Sequence, residues 1–338
     1  MKTNVQMLVF SLCNPPSQSP SSTSKTALVI RGGHYGKPFF TERPTHRQRE
    51  HRWLDGVCLL AFFELLAMSD APSYLDFYRR IVETLLDRHD VEKSMSVLVV
   101  CGGESDKKLM QDFGFTNVTI SNLDSRMTGK EFEPYKWSCQ DAERLTFPDN
   151  AFDLVVICAG LHHCHSPHRA LLECYRVAKR CTVALEARDG FLSRIAVRLG
   201  VVDEYEVTAV VGNKLQFGGV ANTPVPNYIY RWTEREVTKT IASHAPYTPP
   251  RVLWFHEFAP PFAVLRQRKT VKGLFILCIA YPVLWLITRV FKSQCNLLGF
   301  AVLKPDLSRE LFPWLKLADA KPVINEAWVT ERYNLPQE

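Results

Sequence analysis

Imidazole and thiol side chains are concentrated in one short stretch of the chain, which contains His162, His163, Cys164, His165 and His168. A neutral imidazole can take a proton from a substrate hydroxyl near neutral pH. We therefore predict that this stretch supplies a general base, with His163 as the first candidate and His162 as the second. We predict no metal ion here, because adjacent residues on one loop rarely point at one ion and the sequence shows no second pair of ligands.

Two glycines and, further on, two polar residues could contact a ligand together. Gly102 and Gly103 follow a short apolar run and would let the backbone approach a ligand closely. Asn122 and Asp124 lie about 20 residues further on, where a side chain that binds a ribose hydroxyl is expected. Each feature by itself is also typical of an ordinary turn or loop cap.

The elements that must position these residues alternate between apolar runs and helical periods. One helix is predicted to begin at Asp70 and Pro72, and another, capped by Ser166, has Pro167 as its first residue. Strands are predicted at Ser96–Val100, Val118–Ser121, Trp137–Cys139, Leu154–Cys158 and Cys181–Ala187. This alternation predicts an α/β fold with a Rossmann-like parallel sheet between helices. Ligands of such sheets bind beyond the carboxyl ends of the strands, where the glycines and histidines fall.

One stretch of the chain carries a specific resemblance to a known family. Residues 141–155, DAERLTFPDNAFDLV, resemble the DAExLPFxDxxFDxV stretch of class I S-adenosylmethionine-dependent methyltransferases of the UbiE/type-11 group. The similarity continues through the Leu161, His162, His163 triplet and residues 171–179, LLECYRVAK, and covers roughly residues 95–187. It implies the class I methyltransferase fold, whose last strands are antiparallel, and S-adenosylmethionine as the cofactor.

The resemblance also implies which residues bind the methionine part and the ribose of the cofactor. The turn formed by Cys101, Gly102 and Gly103 would hold the methionine part. Asn122, at the end of the second strand, would bind the ribose, and Asp124 is the alternative.

The resemblance assigns the adenine of the cofactor to the stretch that begins at Asp141. Asp141 and Ala142 would flank the adenine, with the Asp141 carboxylate near the exocyclic amine. Ala159, after the fourth strand, completes the predicted cofactor-binding residues.

The sequence departs from the family pattern at the first turn. Val99 stands where the family usually has an acid in the first strand, and Cys101 replaces the first glycine of the turn. Ser105 replaces a third glycine. The ribose position holds neutral Asn122, with Asp124 two residues later. Weaker cofactor binding, a ribose contact shifted to Asp124, or loss of activity would each fit. We expect binding to survive, because the adenine and fourth-strand segments match the family.

The regions outside the core define the domain organisation. The predicted substrate lid carries Tyr205, Asn213, Asn227, Tyr228 and Arg231 as polar candidates. Strands at Arg251–His256 and Leu297–Leu303 would flank a hydrophobic insertion at 257–296. The predicted segments are an N-terminal extension at 1–53, disordered or a targeting signal, N-terminal helices at 54–94, the cofactor-binding core at 95–187, the lid at 188–250, the last strands at 251–305, and a C-terminal tail at 306–338.

Charge, cysteine usage and hydropathy limit the partners. Residues 1–53 hold eight basic and two acidic residues, which accounts for the whole net charge of +6. The neutral remainder argues against a nucleic-acid partner. Ten cysteines without a repeating spacing favour reduced thiols in a cytoplasmic compartment, with organelle targeting as the alternative. Residues 273–288 are uncharged but shorter than the about 20 residues of a spanning helix, so we expect a buried or partner-facing helix, with peripheral membrane contact as the alternative.

These features predict a methyltransferase that acts on a small molecule, at oxygen, by in-line displacement. The alternative is a catalytically silent cofactor-binding or scaffold protein with the same fold. A nicotinamide oxidoreductase is disfavoured, because the GxGxxG spacing is absent. The hydrophobic insertion favours a lipid or quinone-like acceptor, whereas the polar lid residues favour a sugar.

Overall fold

The structure is a computed structural model that describes residues 73–260 and 271–334, without the side chains of 271–279. The predicted N-terminal extension at 1–53 lies outside the described residues. So does the first part of the predicted N-terminal helices, 54–72, which includes Asp70 and Pro72.

Seven strands form the main sheet in the order β3-β2-β1-β4-β5-β7-β6. The first five are parallel, and β7 runs antiparallel between β5 and β6. The predicted α/β fold with a parallel sheet and antiparallel last strands is therefore confirmed. The strands are β1 (Val97–Val100), β2 (Val118–Asn122), β3 (Lys136–Cys139), β4 (Phe152–Cys158), β5 (Ala178–Ala187), β6 (Arg251–Glu257) and β7 (Leu297–Leu303).

Helices cover both faces of this sheet. The first helix is capped by Ser73, whose hydroxyl accepts the N–H of Asp76 at 3.0 Å, so it begins later than Asp70 and Pro72 would place it. Ser166 caps the third helix with Pro167 at its start, as predicted. The helices are α1 (Tyr74–Asp87), α2 (Glu104–Phe113), α3 (Pro167–Val177), α4 (Phe191–Arg198), α5 (Val207–Gly212), α6 (Glu234–His244), α7 (Val271–Val290) and α8 (Glu326–Tyr333).

Alternate residues of the central strands pack into two separate apolar cores. In β1, Val97 and Val99 face the core formed with α1 and α2, whereas Leu98 and Val100 face the core formed with α3 and α6. All four side chains are buried. A strand covered on both faces has no polar face, which explains why its sequence is apolar without alternation.

Two segments outside the sheet differ in character from the core. The predicted C-terminal tail contains an antiparallel pair, β8 (Leu315–Ala318) and β9 (Lys321–Ile324), followed by α8. The predicted hydrophobic insertion contains α7, in which Pro282 is internal. Across the described residues, none of the helices combines the length and apolar character needed to cross a membrane.

One arginine on α3 fixes the loop between β3 and β4. The Arg176 guanidinium donates to the Leu145 and Phe147 carbonyls, both at 2.9 Å. It also donates to the carboxylates of Asp149 at 2.7 Å and of Glu173 at 2.8 Å. Because this loop begins at the predicted adenine-binding residues, Arg176 positions them relative to the sheet.

We predict that Arg176→Lys lowers the free energy of unfolding by about 2 kcal/mol. A lysine keeps the charge but cannot present the planar fork that satisfies two carbonyls and two carboxylates together. Chemical denaturation of the full chain measures the effect. The control is Arg180→Lys, since Arg180 is half exposed and has a single 3.7 Å ion pair with Glu92. Equal stabilities of the two variants would contradict the proposed role of Arg176.

Candidate active site

A cleft opens at the carboxyl ends of β1, β2 and β4 and encloses about 670 Å³, including its open mouth. Its walls come from the ends of these strands, the loop after β3, and a loop of the predicted lid. The lining residues are Cys101, Asn122, Leu123, Asp141, Ala142, Glu143, Ala159, Gly160, His163, Cys164, His165, Gly218, Gly219, Ala221 and Asn222.

The structure brings most of the predicted cofactor residues to this cleft, but not all. Those on its wall are Cys101, Asn122, Asp141, Ala142 and Ala159. Gly102, Gly103 and Asp124 are not among the lining residues. Of the two predicted catalytic histidines, His163 is on the wall and His162 lies behind it.

The first turn is held closed by its own hydrogen bonds. The N–H of Gly102 donates to the Ser121 carbonyl at 2.8 Å. The N–H of Gly103 donates to the Asp106 carboxylate at 2.9 Å. A Cβ at Gly102 would lie 2.8 Å from the side chains of Val99 and Ile120, so this position requires glycine because β1 and β2 approach closely. The glycine amides are therefore engaged within the protein, although the turn was predicted to hold the methionine part of the cofactor.

Two wall residues adopt a backbone conformation that glycine would adopt more easily. Cys101 has φ of +55° and Ala159 has φ of +50°, each immediately after a strand. A side chain in this region costs on the order of 1–2 kcal/mol. Cys101 therefore keeps the backbone of the usual glycine at a steric cost, and such strain is often concentrated at functional sites.

Asn122 and Asp124 have different environments. The Asn122 amide donates to the Gly102 carbonyl at 3.1 Å and accepts the N–H of Asp124 at 3.1 Å, which ties the end of β2 to the turn. The Asp124 carboxylate is buried and binds the Arg126 guanidinium, with a closest distance of 2.5 Å. Burial alone would raise the pKa of Asp124, but Arg126 outweighs it and lowers that pKa. Asn122 lines the cleft and Asp124 does not, so the structure favours Asn122 as the side chain that a ligand in the cleft would meet.

The adenine side of the cleft has one available acceptor beside an apolar surface. One oxygen of Asp141 accepts the N–H of Glu143 at 2.9 Å, and the exposed second oxygen has no partner among the described residues. Ala142, next to it, is buried on the cleft wall. This pair suits a flat ring with an amine at its edge, so the residues present fit the predicted adenine contact.

Two carboxylates that were not predicted from the sequence surround His162. Its Nδ1 lies 2.6 Å from Glu186 Oε2, and its Nε2 lies 3.3 Å from Glu206 Oε2. The other Glu186 oxygen accepts the N–H of Leu161 at 2.7 Å. The Nε2 of His163 lies 3.3 Å from the same Glu206 oxygen. His162 therefore connects Glu206 of the lid to Glu186 of β5, and His163 adds a second contact with Glu206.

The carboxylates give the two imidazoles opposite pKa shifts. Burial alone would lower the pKa of His162, but Glu186 and Glu206 raise it to about 10. Burial and the neighbouring His162 lower the pKa of His163. Burial alone would raise the pKa of Glu206, but both histidines lower it to about 2.

Sequence reasoning could have singled out Glu186 but not Glu206. Glu186 is the lone acid near the end of the apolar run of β5 and is fully buried, and an acid within such a run is a recognisable signal. Glu206 carries no comparable signal, and its role depends on how the lid folds back.

The five polar lid candidates do not face the cleft. None of Tyr205, Asn213, Asn227, Tyr228 and Arg231 is among its lining residues. Asn213 donates to the Ala209 carbonyl, and Arg231 donates to the Asp203 carbonyl. The lid instead contributes Gly218–Asn222, where a Cβ at Gly219 would lie 1.8 Å from the Val225 carbonyl oxygen and only glycine fits.

The cleft lies in the part of the chain that matches known proteins. Residues 98–183 match a family described as a methyltransferase domain. The mitochondrial 2-methoxy-6-polyprenyl-1,4-benzoquinol methylase of Drosophila melanogaster is 27% identical over 42% of this chain and 40% of its own length. The ubiquinone/menaquinone biosynthesis C-methyltransferase UbiE of Zymomonas mobilis is 29% identical over 33% of this chain and 49% of its own length. The chain thus spans less than half the length of either curated relative.

A solved structure is also similar to this chain. It is the 1,6-didemethyltoxoflavin-N1-methyltransferase of Burkholderia thailandensis with bound 1,6-didemethyltoxoflavin and S-adenosylhomocysteine. The match has 12% identity and a TM-score of 0.40, and it covers 79% of this chain and 94% of that chain.

Fold, sequence match and cleft together define the class. Residues 98–183 carry a methyltransferase domain, the sheet has the antiparallel last strands expected of a class I methyltransferase, and the chain is similar to proteins of the UbiE/type-11 group. S-adenosylmethionine is the cofactor of that class, which confirms the resemblance seen in residues 141–155.

The buried carboxylate behind the first turn predicts a pH dependence of stability. Burial raises the pKa of Asp106 from 3.8 to about 6, so the protonated form is favoured in the folded protein. As the pH rises from about 4 to about 6, the unfolded chain ionises first and the free energy of unfolding falls by roughly 3 kcal/mol.

We predict that Asp106→Asn removes this fall, because the amide oxygen can still accept the N–H of Gly103 but does not ionise. Urea unfolding at several pH values between 4 and 7 measures it. Asp112→Asn, on the exposed side of α2, is the matched control and should keep the wild-type dependence. Parallel curves for wild type and Asp106→Asn would contradict the assignment.

Proposed function

We propose that this protein is an S-adenosylmethionine-dependent methyltransferase that methylates a small quinol-like acceptor at oxygen. The observation that carries the proposal is a single cleft that combines the predicted adenine contact, Asp141 and Ala142, with His163 on the same wall. When bound, the cofactor supplies a methyl carbon on a positively charged sulfur, which a nucleophile can attack in line.

In this proposal, some residues of the cleft bind the cofactor and others remove the proton from the acceptor. Asp141 and Ala142 bind the adenine, and Asn122 is available to the ribose. Cys101 and Ala159 form the narrow wall at the strand ends. His163 takes part in removing the proton from the acceptor oxygen, because its ring lies on the cleft wall. His162 is less suited to that role, because carboxylates are close to both of its nitrogens.

The acceptor class is supported by what the lid contributes. A sugar needs several hydrogen-bonding side chains, but none of the five predicted polar lid residues lines the cleft, and Asn222 is the polar side chain that the lid supplies there. Two relatives are named as methylases of quinone-type molecules. A quinol has a flat ring and an ionisable oxygen, so it needs few polar contacts besides a group that removes its proton.

The first test measures cofactor binding and methyl transfer with Asp141→Asn. The amide oxygen keeps the hydrogen bond from Glu143, whereas the amide nitrogen replaces the acceptor proposed for the adenine amine. We expect the dissociation constant for S-adenosylmethionine to rise about tenfold or more by calorimetry, since hydrogen bonds to charged groups contribute about 1.5–3 kcal/mol. Asp149→Asn, on the same loop but outside the cleft, should bind as the wild type does.

Transfer of a labelled methyl group into quinols of the host cell reports turnover, and the bond formed distinguishes oxygen from carbon. Undiminished cofactor affinity in Asp141→Asn would contradict the adenine assignment. Cofactor binding without transfer to any extract fraction would favour the catalytically silent alternative.

We further propose that the protein contacts membranes peripherally through α7 and α4. Exposed apolar side chains on α7 include Val283, Leu286 and Val290, which are 59%, 60% and 65% exposed. Phe191 and Leu199, at the two ends of α4, are 62% and 72% exposed. Such side chains can enter the interfacial layer of a bilayer, where a quinone-like acceptor with a lipid tail would also reside.

Basic residues accompany this apolar surface. Arg289 and Lys292 are exposed at the end of α7, and Arg194 is exposed on α4. The two regions adjoin, because the N–H of Leu192 donates to Gln294 at 3.3 Å. Positive charge beside apolar side chains favours a surface of anionic phospholipid. Such a membrane contact is compatible with a location in the cytoplasm or in an organelle.

Sedimentation with vesicles of anionic phospholipid tests this contact. We expect the wild type to sediment with the vesicles and the double variant Leu286→Glu/Val290→Glu to stay largely in solution, because two buried charges oppose insertion. Ile324→Glu, at an exposed apolar position on β9, is the matched control and should still sediment. A wild type that remains in the supernatant would overturn the membrane proposal without affecting the methyltransferase proposal.

A further inference from the structure

Three atoms that could bind a metal ion lie close together where Glu206 of the lid contacts His162 and His163. The Nε2 atoms of His162 and His163 each lie 3.3 Å from Glu206 Oε2. The three side chains together offer two imidazole nitrogens and one carboxylate oxygen, all within 4.8 Å of one another. The sequence prediction of no metal ion considered neighbours within one loop, whereas Glu206 comes from the lid.

The distances suit a common ion better than tight hydrogen bonds. An N–H···O bond is usually about 2.7–3.2 Å long. Ligand atoms held at about 2.0–2.2 Å from one ion lie about 2.8–3.1 Å apart at octahedral angles and about 3.3–3.6 Å apart at tetrahedral angles. Both imidazole–carboxylate separations match the tetrahedral spacing.

The surroundings of these residues are those of a metal site. The Nδ1 of His162 lies 2.6 Å from Glu186, so His162 can keep that hydrogen bond while an ion replaces the proton on its Nε2. Metal-binding histidines usually donate their second nitrogen to a carboxylate in this way. Asn227 is 98% buried, and its amide nitrogen lies 3.3 Å from Glu206 Oε2. The Asn227 amide oxygen is buried and has no hydrogen-bond partner in the part of the chain that the structure describes.

The charges at the site also favour a cation. Glu186 is fully buried and Glu206 is mostly buried, and both face His162. A protonated His162 offsets one of these two carboxylates, whereas a divalent ion bound by neutral imidazoles would offset both. A buried charge without such compensation is costly.

We propose that His162, His163 and Glu206 bind a divalent first-row transition-metal ion such as Zn²⁺. Two imidazoles and one carboxylate are a donor set typical of Zn²⁺ and related ions, whereas Mg²⁺ and Ca²⁺ take oxygen ligands. Because three protein ligands leave at least one coordination position open, and His163 lies on the cleft wall, the open position faces the cleft.

The chemical role of this ion rests on the proposed function. An acceptor oxygen bound at the open position would lose its proton to water near neutral pH, because a divalent cation lowers the pKa of a bound hydroxyl. In the metal-loaded protein His163 is a ligand, and the ion replaces it as the group that activates the acceptor. This favours acceptors with an ionisable oxygen, such as phenols and quinols.

Metal binding by the full chain is measurable without cofactor or acceptor. After chelator treatment and dialysis, the protein is titrated with Zn²⁺ by calorimetry and with Co²⁺ by visible absorption, which reports nitrogen and oxygen ligands directly. We expect one equivalent of each ion to bind. Glu206→Gln and His163→Asn should each weaken binding by at least about tenfold. His165→Asn, also on the cleft wall but outside the cluster, should bind as the wild type does.

Thermal unfolding of each variant checks that the fold is retained. If Glu206→Gln does not fold, His163→Asn still tests the proposal. His163 lies on the cleft wall, so we expect its substitution to disturb the fold less. Failure of the wild type to take up an ion, or an equal loss of binding in His165→Asn, would overturn the inference. Methyl transfer by a protein that binds no ion would overturn this inference alone, whereas ion binding without cofactor binding would overturn only the proposed function.

Discussion

Parallel pairing of β1 with both β2 and β4 is the interaction on which the cleft depends. Val99 pairs with Ile120 on one side and with Val156 on the other, so the three strands end at one edge of the sheet. Cys101 and Ala159 each follow directly after one of these strands. Because adjacent parallel strands lie about 4.8 Å apart, residues far apart in the chain must line one wall.

The loop after β3 completes this edge through contacts outside the sheet. Arg176 on α3 donates to two carbonyls of the loop that begins at Asp141, so the position of the predicted adenine-binding residues depends on a helix that follows β4. The first turn is fixed in the same manner by Asp106 on α2, which accepts the N–H of Gly103. Helices packed against the sheet therefore hold the loops on both sides of the cleft, and the ends of the strands form the wall between them.

The opposite wall depends on buried charge. Glu186 is fully buried near the carboxyl end of β5, and His162 connects it to Glu206 of the lid. Ionised groups are costly to bury unless they are paired, so each member of this chain of contacts needs the others. The lid is thus attached to the sheet by electrostatics as well as by packing, close to where the acceptor would lie. The lid contributes Gly218, Gly219, Ala221 and Asn222 to the cleft, whereas none of its five predicted polar candidates lines it.

The sequence by itself determined the fold, and it predicted where the adenine would bind. Short apolar runs that alternate with helical periods indicate strands buried on both faces, and the stretch that begins at Asp141 has a pattern specific enough to identify. Only the tertiary structure shows that Asn122 lines the cleft, whereas Arg126 occupies the buried carboxylate of Asp124. It also decided that His162 and His163 face Glu206, which lies more than 40 residues away in the chain. Local patterns fix which face of an element is buried, whereas the contact of two distant polar side chains depends on how the loops between them fold back.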